Sequence, residues 1–139
     1  MSVRQVLVFR RDLKSVRRGK MLAQAGHCSM MFIAEQLRAQ EASGNTSIFV
    51  GDRIQRTIFL TQEQQEWFSG LFTKISLVVD GEKELEELHA KALAMGLTAH
   101  KVVDAGLTEF HGVPTLTCIA IGPHDKDRID PLTGELDMF

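Results

Sequence analysis

Cysteines and long apolar stretches are scarce in this 139-residue chain. Its two cysteines, Cys28 and Cys118, are too few for a disulfide framework and lack metal-ligand spacing. No window approaches the ~18 apolar residues of a membrane-spanning helix, and the first ten residues lack the apolar stretch of a secretory signal. Internal repeats and low-complexity segments are also absent. These absences argue against disulfide-rich, membrane-spanning and repeat proteins, and we expect a cytoplasmic protein with no membrane contact.

The composition is that of an ordinary globular domain, with 44% hydrophobic and 24% charged residues. The length suits a single domain over residues 1–139. The net charge of −2 conceals an uneven distribution, because residues 1–20 contain seven basic side chains and one acidic side chain. This basic head of +6 on an acidic remainder of −8 favours a local contact with a polyanion, although a solvated basic face explains it equally well.

Apolar periodicity predicts alternating strands and helices. Residues 3–9 form a β-branched apolar run typical of a strand buried on both faces, and helical spacing follows over about 19–40. We predict that the stripe at helical spacing on this helix is buried, and it comprises Leu22, Ala25, Ser29, Phe32 or Ile33, and Gln36 or Leu37. A loop at 42–47, a hairpin within 48–60 and a helix from Thr61 to Gly70 are predicted next. A strand at 74–79 then precedes a helix that is capped by Asp80, ends at Gly96 and buries Leu85, Leu88, Ala92 and Met95. The last predicted strands lie at 98–103 and at 115–121, and Gly122-Pro123 ends the second of them.

This order of elements predicts an α/β fold with three layers. We expect a mixed, mostly parallel sheet of about four strands with helices on both faces. The interval between the last two strands is too short for a helical crossover, so one strand should be antiparallel. Residues 41–73 form an atypical insertion, expected to contain an extra hairpin.

The first candidate site is the segment 15–20, between the first strand and the first helix. Arg17, Arg18 and Lys20 surround the start of the helix, where unpaired N–H groups favour anions, and Gly19 allows close approach to the backbone. The spacing of a Walker loop is absent. Lys20, Gln24 and His27 share one helix face, which is either a functional stripe or a solvent-facing edge.

The second candidate site is the turn 104–108. It holds a carboxylate and a hydroxyl, Asp104 and Thr108, around Gly106 at the end of a strand. Asp104 could simply form the turn. A carboxylate that faced Lys20 would instead fix the lysine's position and charge, an arrangement suited to ester hydrolysis without a metal.

Two other kinds of site are disfavoured. His27 and Cys28 are adjacent on a helix and point about 100° apart, so they do not form a nucleophile–base pair, and Cys28 and Cys118 are expected in the core. The remaining histidines are scattered. We therefore predict neither a metal nor a cofactor.

Four short motifs, in order and in register, resemble the archaeal and eukaryotic-type peptidyl-tRNA hydrolases. The likeness covers residues about 3–33 and 74–139. The motifs are Gly19-Lys20-x-x-Ala23-Gln24-x-x-His27, Asp104-Ala-Gly-Leu-Thr108, Ile121-Gly-Pro123, and Ile129-Asp130 with Leu132-Thr-Gly134.

This resemblance implies a three-layer α/β homodimer that hydrolyses the ester between a peptide and the 3′ end of tRNA, without a cofactor. It places the catalytic group on Lys20, Asp104 and Thr108. The acceptor end of the tRNA would then be held by Arg17, Arg18, Gly19, Gln24 and His27.

Three departures from the family pattern leave alternatives open. Leu22 replaces a usual alanine, the tail at 135–137 is acidic, and the insertion at 41–73 is unusual. A catalytically silent RNA-binding or interaction protein of the same fold is one alternative. A hydrolase of another small ester is the other.

Overall fold

A five-stranded sheet with helices on both faces organises the chain. The computed structural model describes residues 2–14, 16–44 and 47–139. Its elements are β1 (Val3–Arg10), α1 (Arg18–Ala42), β2 (Ile48–Val50), β3 (Arg53–Gln55), α2 (Gln62–Ser69), β4 (Lys74–Val79), α3 (Glu82–Ala94), β5 (Ala99–Asp104), a 3-10 turn (Phe110–Gly112), β6 (Thr115–Asp125), α4 (Lys126–Thr133) and β7 (Asp137–Met138). This confirms the predicted three-layer α/β fold.

The sheet has the strand order β5-β6-β1-β4-β7. Among the described strands, only β1 and β4 pair in parallel, whereas β1–β6, β5–β6 and β4–β7 are antiparallel. The prediction of a mostly parallel sheet is therefore wrong as regards pairing. β5 nevertheless runs in the same direction as β1, because both are antiparallel to β6. The carboxyl ends of β1 and β5 consequently lie at the same edge of the sheet.

β1 is buried on both faces, as its apolar run predicts. Leu7 and Phe9 face α1, in a cluster that includes Cys28 and Cys118. Val6 and Val8 face the opposite way, toward the helices α3 and α4. The alternation follows from the two-residue period of a strand.

Both cysteines lie fully in the core, as predicted, and both are free thiols. A hydrogen bond with Cys118, together with burial, raises the pKa of the Cys28 thiol well above its ordinary value. Cys28 is therefore an unreactive packing residue.

The insertion contains a small separate hairpin, as expected. β2 and β3 pair around Gly51-Asp52, and the chain then returns along the second half of α1. Gln36 accepts a hydrogen bond from the Phe59 N–H at 2.8 Å and donates one to its carbonyl at 2.9 Å. α2 follows with the predicted capping box, in which Thr61 and Gln64 each satisfy the other's backbone N–H.

Several predicted boundaries are wrong for identifiable reasons. The cap of α3 is Gly81, because the Asp80 carboxylate pairs with Arg11 at 3.0 Å instead. β6 continues through Gly122-Pro123 to Asp125, because these two residues lie opposite the single residue Gln5 in a β-bulge, where proline costs no ladder bond.

Three further differences concern burial and extent. Leu22 and Met95 are 67% and 48% exposed rather than buried. α4 was not predicted, because its sequence is polar apart from the buried Ile129 and the partly buried Leu132. The predicted loop at 42–47 includes Asn45 and Thr46, which lie outside the described residues, as does Ser15 of the predicted segment 15–20. Among the described helices, none combines the length and apolar composition needed to cross a bilayer.

Candidate active site

Lys20 and Asp104 meet at the carboxyl edge of the sheet. Lys20 lies in the first turn of α1, and Asp104 is the last residue of β5. The Lys20 Nζ donates a hydrogen bond to Asp104 Oδ1 at 2.6 Å and one to Thr108 Oγ1 at 3.2 Å. The Lys20 and Asp104 side chains are only 16% and 12% exposed, so the pair is largely shielded from water while Thr108 remains exposed. The ring of Phe110 lies 5.9 Å from the ammonium group and covers one side of it.

Gln24 fixes the position of Asp104 through a hydrogen bond from the buried side of the site. Its Nε2 donates to Asp104 Oδ1 at 3.2 Å, and its Oε1 accepts a hydrogen bond from the Thr117 hydroxyl at 2.6 Å. Because the ionised Asp104 carboxylate can only accept hydrogen bonds, the amide nitrogen of Gln24 must face Asp104, and its oxygen then faces the Thr117 hydroxyl. Gln24 and Thr117 are 1% and 0% exposed. The amide of Gln24 is thus engaged in supporting Asp104, and a contact of Gln24 with tRNA stays a prediction.

The charge of Asp104 is stabilised on all sides. The hydrogen bond from Lys20 is the main cause that holds the pKa of Asp104 below its ordinary value, against the opposing effect of burial. The Gly106 N–H, which donates to Asp104 Oδ2 at 2.8 Å, and Gln24 act in the same direction. The Asp104 carboxylate is therefore a counter-ion of Lys20 in a fixed position, and it is a weak base.

The loop that carries Thr108 is closed at its base. Gly112 N–H donates to the Gly106 carbonyl at 2.8 Å. Gly106 has φ +80°, and a Cβ there would lie 2.4 Å from the Val113 carbonyl oxygen. Only glycine fits, because any side chain would clash with backbone that has no room to move. The Asp104-Ala-Gly-Leu-Thr108 motif therefore describes a tightly closed loop with Thr108 near its tip.

Arg17 and Arg18 face different surfaces. Arg17 lines a cavity of about 440 Å³ together with Lys14 and the loop residues Thr108 and Glu109. Arg18 instead lines a separate depression that includes the C-terminal Phe139. Gly19 is exposed in the first turn, and a Cβ there would meet nothing within 4 Å.

Glu109 is a site residue that the sequence reasoning missed. Its Oε1 lies 3.5 Å from Arg17 Nε, and its Oε2 is buried without a hydrogen-bond partner in the described structure. Its position directly after Thr108 was the available signal. Thr117 was also missed, because nothing in the sequence links it to Gln24.

Part of the basic head has a structural role. Arg10 pairs with Asp12 at 2.7 Å, and Arg11 pairs with Asp80 and Asp137, both at 3.0 Å. Within residues 2–14, 16–44 and 47–139, Lys14 and Arg18 form no ion pair. The polyanion-binding charge is therefore smaller than +6 and is centred on the start of α1.

His27 is exposed and lines a second depression, of about 750 Å³, between α1 and β5. It lines the same depression as Gln24 and Asp104 but forms no described hydrogen bond with them. The structure thus unites Lys20, Asp104 and Thr108 and places His27 beside them.

Comparison with known proteins decides the family. Residues 3–139 match the family described as Peptidyl-tRNA hydrolase PTH2. The chain belongs to this peptidyl-tRNA hydrolase family. Membership confirms the resemblance carried by the four motifs and favours a hydrolase over the silent RNA-binding alternative.

Archaeal peptidyl-tRNA hydrolases are similar over almost the entire chain. That of Methanopyrus kandleri is 36% identical over 136 residues, which cover 98% of this chain and 97% of the relative. That of Thermococcus onnurineus is 32% identical over 141 residues, covering 97% and 96%. A solved structure of a protein of unknown function from Agrobacterium tumefaciens covers 100% of this chain and 98% of its own, with a TM-score of 0.51 and 11% identity, and so shares the fold alone.

No group of three or more histidine, cysteine, aspartate or glutamate side chains with metal-binding geometry occurs in the part of the chain that the structure describes. Independence from metals and cofactors remains a prediction for experiment.

Proposed function

We propose that this peptidyl-tRNA hydrolase cuts its ester at the cluster of Lys20, Asp104 and Thr108. The observation that carries the proposal is the shielded ion pair of 2.6 Å, with a hydroxyl 3.2 Å from the same ammonium group. A fixed positive charge that is largely shielded from solvent can stabilise the negative charge that develops on the ester carbonyl oxygen during the reaction.

Each of the three groups has a role that follows from its contacts. Asp104 orients the Lys20 ammonium group through their hydrogen bond, and the lowered pKa of Asp104 makes it a poor proton acceptor. Lys20 stabilises the developing oxyanion. The exposed Thr108 hydroxyl orients the attacking water. The products are a peptide carboxylate and a tRNA whose ribose oxygen has taken one proton of the water, and the other proton passes to solvent. Gln24, held by Thr117, sets the position of Asp104.

Exposed basic groups around the start of α1 are proposed to hold the acceptor end of the tRNA. Arg17 and Arg18 would contact backbone phosphates, Gly19 would allow close approach, and His27 would border the ester. The single-stranded end is the accessible part of a tRNA, because an A-form helix hides its base edges in a narrow groove.

Turnover of purified N-acetyl-aminoacyl-tRNA and peptidyl-tRNA, compared with simple acyl esters, tests this proposal. We expect hydrolysis of both tRNA substrates and a drop of about 10²-fold or more in Lys20→Ala. Equal hydrolysis of simple esters would favour the small-ester alternative. Full activity of Lys20→Ala would remove the cluster from the mechanism.

We also propose that residues 1–139 act as one domain, as a homodimer in the cytoplasm, where translation takes place. Exposed apolar side chains support self-association, among them Phe49, Phe59 and Leu71, at 74%, 78% and 94% exposure. Sedimentation velocity at several protein concentrations measures the oligomeric state, and a monomer throughout would contradict the dimer.

A further inference from the structure

β5 forms one edge of the sheet and borders an open groove. Within the part of the chain that the structure describes, its only strand neighbour is β6. The depression of about 750 Å³ lies along its other side, between residues 101–105 and the face of α1. Every second residue of an edge strand turns its N–H and C=O away from the sheet, so this edge can accept another extended chain.

The groove begins at the catalytic cluster. Gln24 and Asp104 line one end, and Glu35 and Arg38 of α1 line the other. α1 rises about 1.5 Å per residue, so the distance from Gln24 to Glu35 is roughly 16 Å. Five strand residues span a similar length, about 16 Å. The groove therefore has room for about five extended residues next to the proposed ester site.

The side of the groove formed by α1 consists mainly of small and of flexible side chains. The small residues Ala23, Gly26 and Ala34 leave room for a ligand, and Met30 and Met31 offer flexible apolar contacts. Methionine fills irregular gaps and suits surfaces that accept varied side chains. Lys101 pairs with Glu86 at 2.6 Å and Glu35 hydrogen-bonds to His100 at 2.7 Å, so Arg38 is the one lysine or arginine of the lining that has no ion pair among the described residues. Such a surface suits a peptide better than the phosphates of RNA.

We propose that the peptide part of the substrate binds here as an added strand, parallel to the free edge of β5, in the groove between β5 and α1. The inference rests on the proposed function. The direction follows from chemistry: the peptide's C-terminal residue carries the ester at Asp104, which is also the C-terminal end of β5. Backbone pairing gives affinity without reading side chains, which a hydrolase of peptides of any sequence requires.

The first experiment varies peptide length on wild-type protein. N-acetylated peptidyl-tRNAs of one to eight residues are compared by kcat/KM. We expect a rise of about fivefold for each backbone hydrogen bond gained, to about 10²–10³-fold at five residues, and a plateau beyond. N-methylation of single peptide bonds in the five-residue substrate should weaken alternate positions, because only every second residue of an added strand pairs with its neighbour.

The second experiment fills the groove. Ala34 lies about 15 Å along α1 from Gln24, so in Ala34→Trp the value of kcat/KM should stop rising at a peptide length of about four residues. Met30 is 62% exposed and lies about 9 Å from Gln24, so in Met30→Trp the rise should stop at about three residues. Ala39→Trp is the matched control, because Ala39 is exposed on α1 but does not line the groove. All three variants should cleave the one-residue substrate at the wild-type rate, and thermal melting checks their folding.

The outcomes separate this inference from the proposed function. Cleavage of the one-residue substrate without a gain from length, or uniform N-methyl effects, would overturn the groove alone. No cleavage of any tRNA substrate would overturn the proposed function and the groove with it. Dimer dissociation in Met30→Trp with unchanged length dependence would show that a second copy occupies this edge. If Ala34→Trp does not fold, Met30→Trp and the N-methyl series still decide.

Discussion

Asp104→Asn separates the charge of the site from its shape. Asp104 accepts hydrogen bonds from Lys20 at 2.6 Å, from Gln24 at 3.2 Å and from Gly106 N–H at 2.8 Å. An amide presents a donor at one of its two ends, so in either orientation it confronts a donor, on Lys20 or on Gly106. At least one hydrogen bond is lost, and the ammonium group loses its counter-ion.

The size of the effect follows from these contacts. A hydrogen bond to a charged group contributes about 1.5–3 kcal/mol, and about 2.7 kcal/mol corresponds to a 10²-fold change in rate. We therefore expect kcat to fall about 10²-fold. Because the two side chains are only 16% and 12% exposed, the free energy of unfolding should also fall, by about 1–3 kcal/mol.

The assay measures peptidyl-tRNA turnover and thermal melting on the same preparations. Asp130→Asn is the matched control, since Asp130 also pairs with a lysine, Lys126, but lies in α4 away from the site. It should lose little turnover. Lys20→Ala should match Asp104→Asn, and the double variant should lose little beyond the worse single variant, because parts of one unit are not additive.

Full turnover in a folded Asp104→Asn would refute this reasoning. A turnover loss only as large as the unfolded fraction would reduce Asp104 to a turn former. Additive losses in the double variant would show that Lys20 and Asp104 act separately.

The remaining predictions concern pH, salt, metals and the buried support of the site. Because the pKa of Asp104 is lowered, the carboxylate stays charged at any pH above the ordinary aspartate value of about 3.9 and becomes protonated only as the pH falls through its lower folded pKa. We therefore expect no acid limb from Asp104 in the pH profile of kcat between pH 5 and 8. An acid limb in that range that Asp104→Asn abolishes would contradict this. tRNA binding should weaken with a log–log salt slope of about −2 to −3, which Arg17→Ala with Arg18→Ala flattens by about one to two; an unchanged slope would place the RNA contact elsewhere. Chelators should leave turnover intact, whereas loss in EDTA that zinc or magnesium restores would contradict metal independence. Thr117→Val should lower turnover about tenfold and the free energy of unfolding by about 1–3 kcal/mol, because Gln24 loses its orienting donor; full turnover in the folded variant would separate Gln24 from catalysis.

Local patterns predicted the elements better than their pairing. The capping box at Thr61 and the double-faced burial of β1 depend on neighbours in sequence, and both are confirmed. The sheet pairing depends on which strand enters beside β1, and no local pattern specifies that β6 does so. The predicted meeting of Lys20 and Asp104 survives this error, because β5 and β1 still point the same way.

The support of the site depends on contacts between distant parts of the chain. Gln24 and Thr117 are 93 residues apart, and a glutamine on a helix gives no sign that a distant hydroxyl will bury it. Arg10 and Arg11 likewise read as part of a basic head until Asp12, Asp80 and Asp137 neutralise them. Charge counted along a sequence overestimates the field that a ligand meets.

The closed base of the Thr108 loop has a consequence for variation between relatives. The Gly112 N–H bonds to the Gly106 carbonyl and so holds the two sides of the loop together next to β5 and β6. Substitutions at 107, 109 and 111 would reshape the cavity that Arg17 lines, while Lys20, Asp104 and Thr108 keep their spacing. The proposed contact with the tRNA can therefore vary between relatives without a change in the catalytic cluster.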